Sequence, residues 1–550
     1  MCFFISKLGI MKAPIILIIL ISFIAFSCNK FGRINEISEK IEETLDGEEL
    51  TVEIHKKNLI TSPALIDFYT DRNFDQAWTT KEGLNPNGEE LFKLIQDAQK
   101  FGLNPQWYHS QEINSVIDNK KPKVEELANV DILLTDAFML FASHLSYGFL
   151  DQDKKWVVWK WEKMGRKGEL PGVLQQAWEE GNIKKTLLEL QPKWFEYVNL
   201  QKGLENFLET HELDNTKHPI PDVKTDSAAA YNGISKILVT LHLLDESKAN
   251  SAETITESLK EFQKWHGIPA DGVVGDYTRD ALAMSTLDRY NQIAINLDRM
   301  RWDNVIPDRY VLVNIPAYHL KLVINNEAKE IFEVIVGTPD DQTPELIDNM
   351  TYIETFPYWN VPASIVNEEI LPKIMENPSH MSALGYRIFD SNNNEIDPVS
   401  FDWSSFSTEN FEYSIRQDGD SSNSLGLVKF MFPNKYNVYI HDTPSRHLFG
   451  KEMRSLSHGC IRINEPLKFA DVILKADKNK YSAEDLREMI VQRQNRHVKL
   501  NDPKPVIIRY FTAEADENGN IYLFKDIYNK DQNLLSVVSS GNQMKLYSSK

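Results

Sequence analysis

The sequence predicts a multidomain α+β protein, helical through its first half and mainly β from about residue 296. Two patterns and one length argument predict it. Apolar residues recur at helical spacing between 29 and 218 and again between 234 and 283, whereas 310–314 and 319–324 alternate apolar and polar. The second alternating run ends in Asn325-Asn326, a turn signal, and the chain resumes as a strand at 331–336. At 550 residues the chain exceeds what one core fills, so three or four domains are expected.

In chain order, residues 1–28 read as an export signal. Lys7 and Lys12 precede an apolar run at 15–26 that is short for a membrane span. Ala25-Phe26-Ser27-Cys28 resembles a bacterial lipobox, which makes Cys28 a lipidation site; plain signal cleavage or an uncleaved anchor are the alternatives. Residues 29–218 form a helical region. Within it, 132–149 is strongly apolar, but Asp136 and His144 mark it as a core helix and not a span. Trp156, Trp159 and Trp161 stand among basic residues at 154–167, either an ordinary solvated face or a patch for glycan or lipid headgroups.

A linker is expected from 218 to about 230. A small helical module follows, in which Ile255, Leu259, Phe262 and His266 repeat at helical spacing. Gly267-Ile268-Pro269 turns the chain into Asp271-Gly272-Val273-Val274-Gly275 and a helix capped near Thr278. In the β region, a polar insertion rich in Asn, Ser and Asp occupies 368–419. Residues 466–475 read as a helix, 476–503 as a charged linker, and 506–511 with 521–524 as a closing pair of strands.

Composition excludes some classes. With 60 basic and 80 acidic side chains the net charge is −20, which argues against a nucleic-acid binder. The cysteines are Cys2, Cys28 and Cys460, so no disulfide can form within the body of the chain, and Cys460 stands as a lone thiol.

That thiol lies in Ser457-His458-Gly459-Cys460-Ile461-Arg462, with His441 upstream at the end of an apolar run. A thiol attacks as its thiolate, which nearby imidazole or cationic groups favour. Gly459 allows a tight turn that leaves backbone N–H groups free for an oxyanion. A buried inert cysteine is the bland alternative. Zinc is another, but the spacing of His441, His447, His458 and Cys460 matches no usual structural zinc pattern, so no metal and no cofactor is expected.

His441, fifteen residues, then Ser457-His458-Gly459-Cys460 resembles the signature of the L,D-transpeptidase catalytic domain. Val336-Gly337-Thr338-Pro339, Thr343-Pro344, Tyr358-Trp359-Asn360-Val361-Pro362, Lys429-Phe430 and His441-Asp442-Thr443-Pro444 are similar to segments of the family's large periplasmic members. Phe262-Gln263, His266-Gly267-Ile268, Asp271-Gly272, Gly275 and Thr278 resemble a small peptidoglycan-binding module.

The resemblance implies the following organisation: signal and lipobox 1–28, helical scaffold 29–218, linker and peptidoglycan-binding module 219–290, catalytic domain 296–478 with a lid at 368–419, and a C-terminal extension 479–550. It implies a mixed sheet sandwich with the cysteine at a groove. By it, Cys460 is the nucleophile and His441 the base, oriented by the carbonyl of Asp442. Gly459 and Cys460 N–H groups hold the oxyanion, and His458 and Arg462 meet donor carboxylates. Ser457, Asp442, Tyr358, Trp359 and Asn360 join the substrate groove.

The implied reaction is 3→3 cross-linking of peptidoglycan stem peptides with release of D-Ala. Water as acceptor would make the protein an L,D-carboxypeptidase, and a silent wall-binding scaffold is the non-enzymatic alternative. A cysteine endopeptidase is disfavoured because His441 precedes Cys460. The implied location is the periplasm of a Gram-negative bacterium, membrane-anchored. Stem peptides, glycan and cell-wall synthesis enzymes are the implied partners.

Overall fold

The computed structural model describes residues 35–46, 52–55, 57–59, 61–150, 169–218, 220, 226–303, 306–399 and 412–539. The lipobox with Cys28, the tryptophan stretch at 154–167 and residues 400–411 of the insertion lie outside them. The first half is helical and the C-terminal half mainly β, as the two periodicities predict.

The helical region is built around α1 (Val124–Tyr147), whose 18-residue apolar window is 94% buried inside the protein. It can carry acids there because each is saturated. Asp136 accepts from Thr61 N at 3.0 Å and Thr61 Oγ1 at 2.7 Å, and His109 Nε2 lies 2.8 Å away. Asp131 accepts from the backbone of Ala77, Trp78 and Thr79 at 2.8–2.9 Å. Buried charge is tolerated when hydrogen-bonded. α2 (Phe195–Thr210) follows.

The small module comprises α3 (Ser227–Thr240), α4 (Ala252–Trp265) and α5 (Asp276–Leu282) around Ile234, Leu238, Leu259 and Phe262. Two expectations change here. Ala228–Ala230 is the first turn of α3, not linker, because the Asp226 side chain accepts from Ala229 N at 3.0 Å and caps it. Gly275, not Thr278, caps α5; Thr278 is buried within the helix. Gln263 staples the intervening loop, donating to Asp271 Oδ1 at 3.0 Å and Val273 O at 2.9 Å while accepting from Gly272 N at 2.8 Å.

α6 (Thr286–Arg301) joins the halves. Arg301 Nη2 donates to Phe101 O at 2.6 Å and Asp298 accepts from Phe149 N at 2.6 Å on one side. On the other, Asn296 and Thr512 exchange side-chain and backbone bonds of 2.8–2.9 Å.

The strands from Arg309 to Arg509 are β1 (Arg309–Asn314), β2 (His319–Ile324), β3 (Ala328–Gly337), β4 (Leu346–Thr355), β5 (Trp359–Asn360), β6 (Tyr386–Phe389), β7 (Glu395–Ile396), β8 (Ser414–Gln417), β9 (Val428–Met431), β10 (Ile440–His441), β11 (Ser455–Ser457), β12 (Ile461–Ile463) and β13 (Arg496–Arg509). Asn325 and Asn326 both take positive φ, 53° and 57°, which turns β2 tightly into β3. The main sheet runs β11-β3-β12-β10-β9-β4-β13-β1-β2, and β2 also pairs β3. It therefore closes on itself, where two stacked sheets were expected. The long strands allow this: β13 shifts register between Lys499 and Lys504 as it crosses β4.

The stretch read as a charged linker follows α7 (Pro466–Ala476) and contains α8 (Ala483–Val491) and the first part of β13. β13 lies inside the sheet between β4 and β1, so 506–511 does not pair with 521–524. Ile521–Leu523 instead pairs with Ala513–Ala515. The polarity of 476–503 misled because α8 and the start of β13 bury only scattered positions, such as Leu486, Val498 and Leu500.

The insertion has its own apolar cluster, in which Ile370, Leu371 and Ile388 pack with Trp359 and Val366 just before it. Its sheet, β7-β6-β8-β5, ends on Trp359–Asn360 and so ties the insertion to the groove wall.

Candidate active site

β10 and β12 run parallel, with Ile440 opposite Ile461 and His441 opposite Arg462. Ile440 and Ile461 are fully buried in the core below. Alternation then sends Tyr439 and His441, with Cys460 and Arg462, to the other face. The register continues outward: Lys429 on β9 is opposite His441, and Glu354 on β4 is opposite Lys429. A row of Glu354, Lys429, His441 and Arg462 thus crosses four strands, with Cys460 at its edge.

Cys460 is half-buried, and its Sγ lies 3.9 Å from Asn437 O. Burial pushes the thiol up, while hydrogen bonds from the backbone N–H and the hydroxyl of Tyr439 and the charges of Lys429 and Arg462 pull the other way. His441 is buried, and its Nδ1–H donates to the carbonyl of Asp442 at 2.5 Å. That bond leaves Nε2 as the basic nitrogen. Burial first, then Arg462 and Lys429, push the His441 ring down to about 3, so the imidazole is neutral at neutral pH.

The turn before Cys460 is held from within. Gly459 takes φ 98°. Ser457 Oγ donates to Cys460 O at 2.5 Å and accepts from Gly459 N at 3.2 Å, and Thr343 Oγ1 donates to Gly459 O at 2.9 Å. The Gly459 N–H is therefore engaged, where sequence left it free. Ser457 is a buried turn-former, not a groove residue. Asp442 is likewise spent internally: its carboxylate accepts from Leu427 N at 2.8 Å and Thr443 N at 2.6 Å and pairs with Arg446.

Tyr358, Trp359 and Asn360 line a cleft of about 350 Å3 together with Lys429, Asn437 and Tyr439, so the structure brings these wall residues to the sheet face that carries the thiol. His458 is half-exposed, and its Nε2 lies 2.6 Å from Glu369 Oε1 on the insertion. Arg462 is lowered by burial and opposed by the charges of Cys460 and Glu369; its Nε has no hydrogen-bond partner.

Sequence reasoning missed Thr343, Glu354 and Glu369 as site residues. Glu369 is one acid in a polar insertion, and Glu354 one polar position on an alternating strand; only register marks them. Among the described residues no group of His, Cys, Asp and Glu is arranged to hold a metal ion.

The model of the L,D-transpeptidase catalytic domain matches residues 308–504, and that of a scaffold domain matches 63–204. A candidate L,D-transpeptidase of Haemophilus influenzae is 34% identical over 246 residues, 44% of this chain and 48% of the relative. The chain thus matches about half the length of that relative. An L,D-transpeptidase structure from Mycobacterium smegmatis aligns with 37% of this chain and 58% of its own, at 12% identity and a TM-score of 0.18. The Ldtfm-avibactam carbamoyl enzyme aligns with 38% and 51%, at 12% and 0.18. Overlaps this weak support no inference about fold. The first domain model spans His441 and Cys460 and the second residues 63–204, so the chain carries an L,D-transpeptidase catalytic domain preceded by a scaffold domain.

Proposed function

We propose that the protein is an L,D-transpeptidase that forms 3→3 peptidoglycan cross-links through a thioester on Cys460. The observation that carries this is the register placing Cys460, His441 and Arg462 on one sheet face beside the Tyr358-Trp359-Asn360 cleft. His441 Nε2 takes the thiol proton as Sγ attacks the carbonyl between the third stem residue, a diamino acid, and the terminal D-Ala. The C–N bond then breaks, and His441 returns the proton to the departing D-Ala amine. The oxyanion is held by the N–H of Cys460, joined by that of Gly459 once it leaves Ser457 Oγ. The side-chain amine of a second stem attacks the thioester, loses a proton to His441 and frees the thiolate.

His458 and Arg462 receive donor carboxylates. The helical module holds the wall, and the insertion acts as a lid that keeps water from the thioester. The protein acts in the periplasm, anchored by lipid at Cys28. Incubation with purified disaccharide-tetrapeptide and mass spectrometry tests the reading. A dimer lacking one D-Ala is expected; tripeptide alone means a carboxypeptidase, and unchanged substrate defeats both enzymatic readings.

A further inference from the structure

The thiol faces a difficulty that the proposed His441/Cys460 pair does not resolve. Burial disfavours the thiolate, and a neutral His441 contributes no positive charge to it in the resting state. The titratable and charged groups around Cys460 are Tyr439 and His441 on the neighbouring strand and Arg462 on its own. His458 precedes it, Glu369 reaches in from the insertion, and Lys429 with Glu354 lies on the strands beyond. Two permanent cations favour the thiolate, Lys429 and Arg462, each beside an acid, Glu354 and Glu369. Lys429 acts on the thiol more strongly than Arg462 and lies against Tyr439.

We propose that Lys429 is the positioning residue that supplies the positive charge for the Cys460 thiolate, with Glu354 holding its ammonium over Tyr439. The Nζ lies 4.1 Å from the centroid of the Tyr439 ring, and Tyr439 is the residue against the thiol. Glu354 and Lys429 side chains are only 11% and 14% exposed, so their charges are weakly screened. Their separation is 4.0 Å, longer than a hydrogen bond, so the pair orients the ammonium without saturating its donors. Glu354 is itself fixed by Asn495 Nδ2 at 2.8 Å. Lys429 also lines the cleft, which places its charge on the side from which substrate enters. A lysine kept only to pair strands needs neither the cleft-facing ammonium nor the aromatic seat.

This inference rests on Cys460 being the nucleophile, yet its test is separable from turnover. In the full chain, the iodoacetamide alkylation rate of the Cys460 peptide is followed against pH by mass spectrometry, alongside tetrapeptide turnover. K429M is expected to move the alkylation midpoint up by about one pH unit, a roughly tenfold slower reaction at pH 7, and K429R to restore most of it. K429M leaves Glu354 without its lysine, so K429M/E354Q serves as the folded control and should show the same upward shift. E354Q alone removes a negative neighbour but also releases the ammonium from its seat, two opposing effects, so it should shift the midpoint much less than K429M does. A folded K429M/E354Q protein with the wild-type midpoint overturns the proposal, as does an upward shift in E354Q equal to that in K429M. If wild type turns over no tetrapeptide while K429M still shifts the midpoint, the charge role stands and the cross-linking reading falls.

Discussion

At Cys460, burial and charge oppose one another, and the proposed thioester chemistry depends on which wins. Removing the sulfur removes the covalent route altogether. Cys460→Ala is expected to lower tetrapeptide turnover by at least about a thousandfold with the fold retained, as judged by circular dichroism. Activity near wild type would end the cysteine mechanism. His441 presents Nε2 because Nδ1–H is tied to the Asp442 carbonyl at 2.5 Å. His441→Gln should therefore slow acylation roughly a hundredfold at pH 7. Raising the pH should recover part of the loss, since hydroxide then generates the thiolate that the ring no longer does. A His441→Gln profile parallel to wild type across pH 6–9 would move the base elsewhere. Tyr439, Arg462 and Lys429 were all visible in the sequence, but nothing in their spacing said that they share one face with the thiol.

The turn leading into β9 shows how an element can govern the site without touching substrate. Gly426 has φ 62°, and a Cβ there would lie 2.3 Å from the Asp442 carboxyl carbon. Asp442 carries the carbonyl that orients His441. Gly426→Ala is thus expected to cost about 1–3 kcal/mol of stability and to lower kcat more than KM, measured by thermal unfolding and steady-state turnover. Unchanged kcat would uncouple the turn from the base.

The small module offers a pH signature. His266 is buried, with Nδ1 bonded to Phe262 O at 2.8 Å and Nε2 facing Arg289 Nη1 at 2.8 Å. Burial and then Arg289 push it down to about 3. Its depressed folded value means that the unfolded chain takes up the proton first, from about 6.5 downward. The stability it contributes is therefore whole above 6.5 and lost as pH falls toward 3. His266→Gln should lose less Tm than wild type between pH 7 and 4.5; an equal loss would show that His266 does not set the acid sensitivity. The insertion, read from its polarity alone, was harder to judge. Its apolar cluster is assembled from single residues spaced along 359–425, and short-range periodicity does not reveal such a core.

At the scale of the whole molecule, α6 binds the helical half to the closed sheet. Through it the Phe149 backbone and the Thr512 backbone meet one helix. The C-terminal hairpin packs on α2 and α6, with Phe511, Ala513 and Leu523 against Leu200 and Ile293. What joins the chain to a surface is predicted to be Cys28. Cys28→Ala should release the protein from the membrane fraction or leave it unprocessed, followed by fractionation and N-terminal mass; a wild-type protein already soluble with its N-terminus beyond Cys28 would exclude the anchor.

Local pattern determined much by itself. The 3.6-residue period marked the helical half and the module, and alternation with Asn325-Asn326 marked the first hairpin of the sheet. The Ser457–Arg462 motif with His441 pointed to the proposed nucleophile and its proposed base, because each depends on neighbours a few residues away. Tertiary structure alone decided the rest. The closure of β2 on β3, the burial of β13 in the sheet, and the row joining Glu354 to Arg462 are pairings between distant segments. So is the Glu369 carboxylate against His458. Such contacts are chosen by the packing of two faces against a common core, and a stretch such as 476–503, mostly polar and only sparsely buried, bears no mark of them until the partner strand is in place.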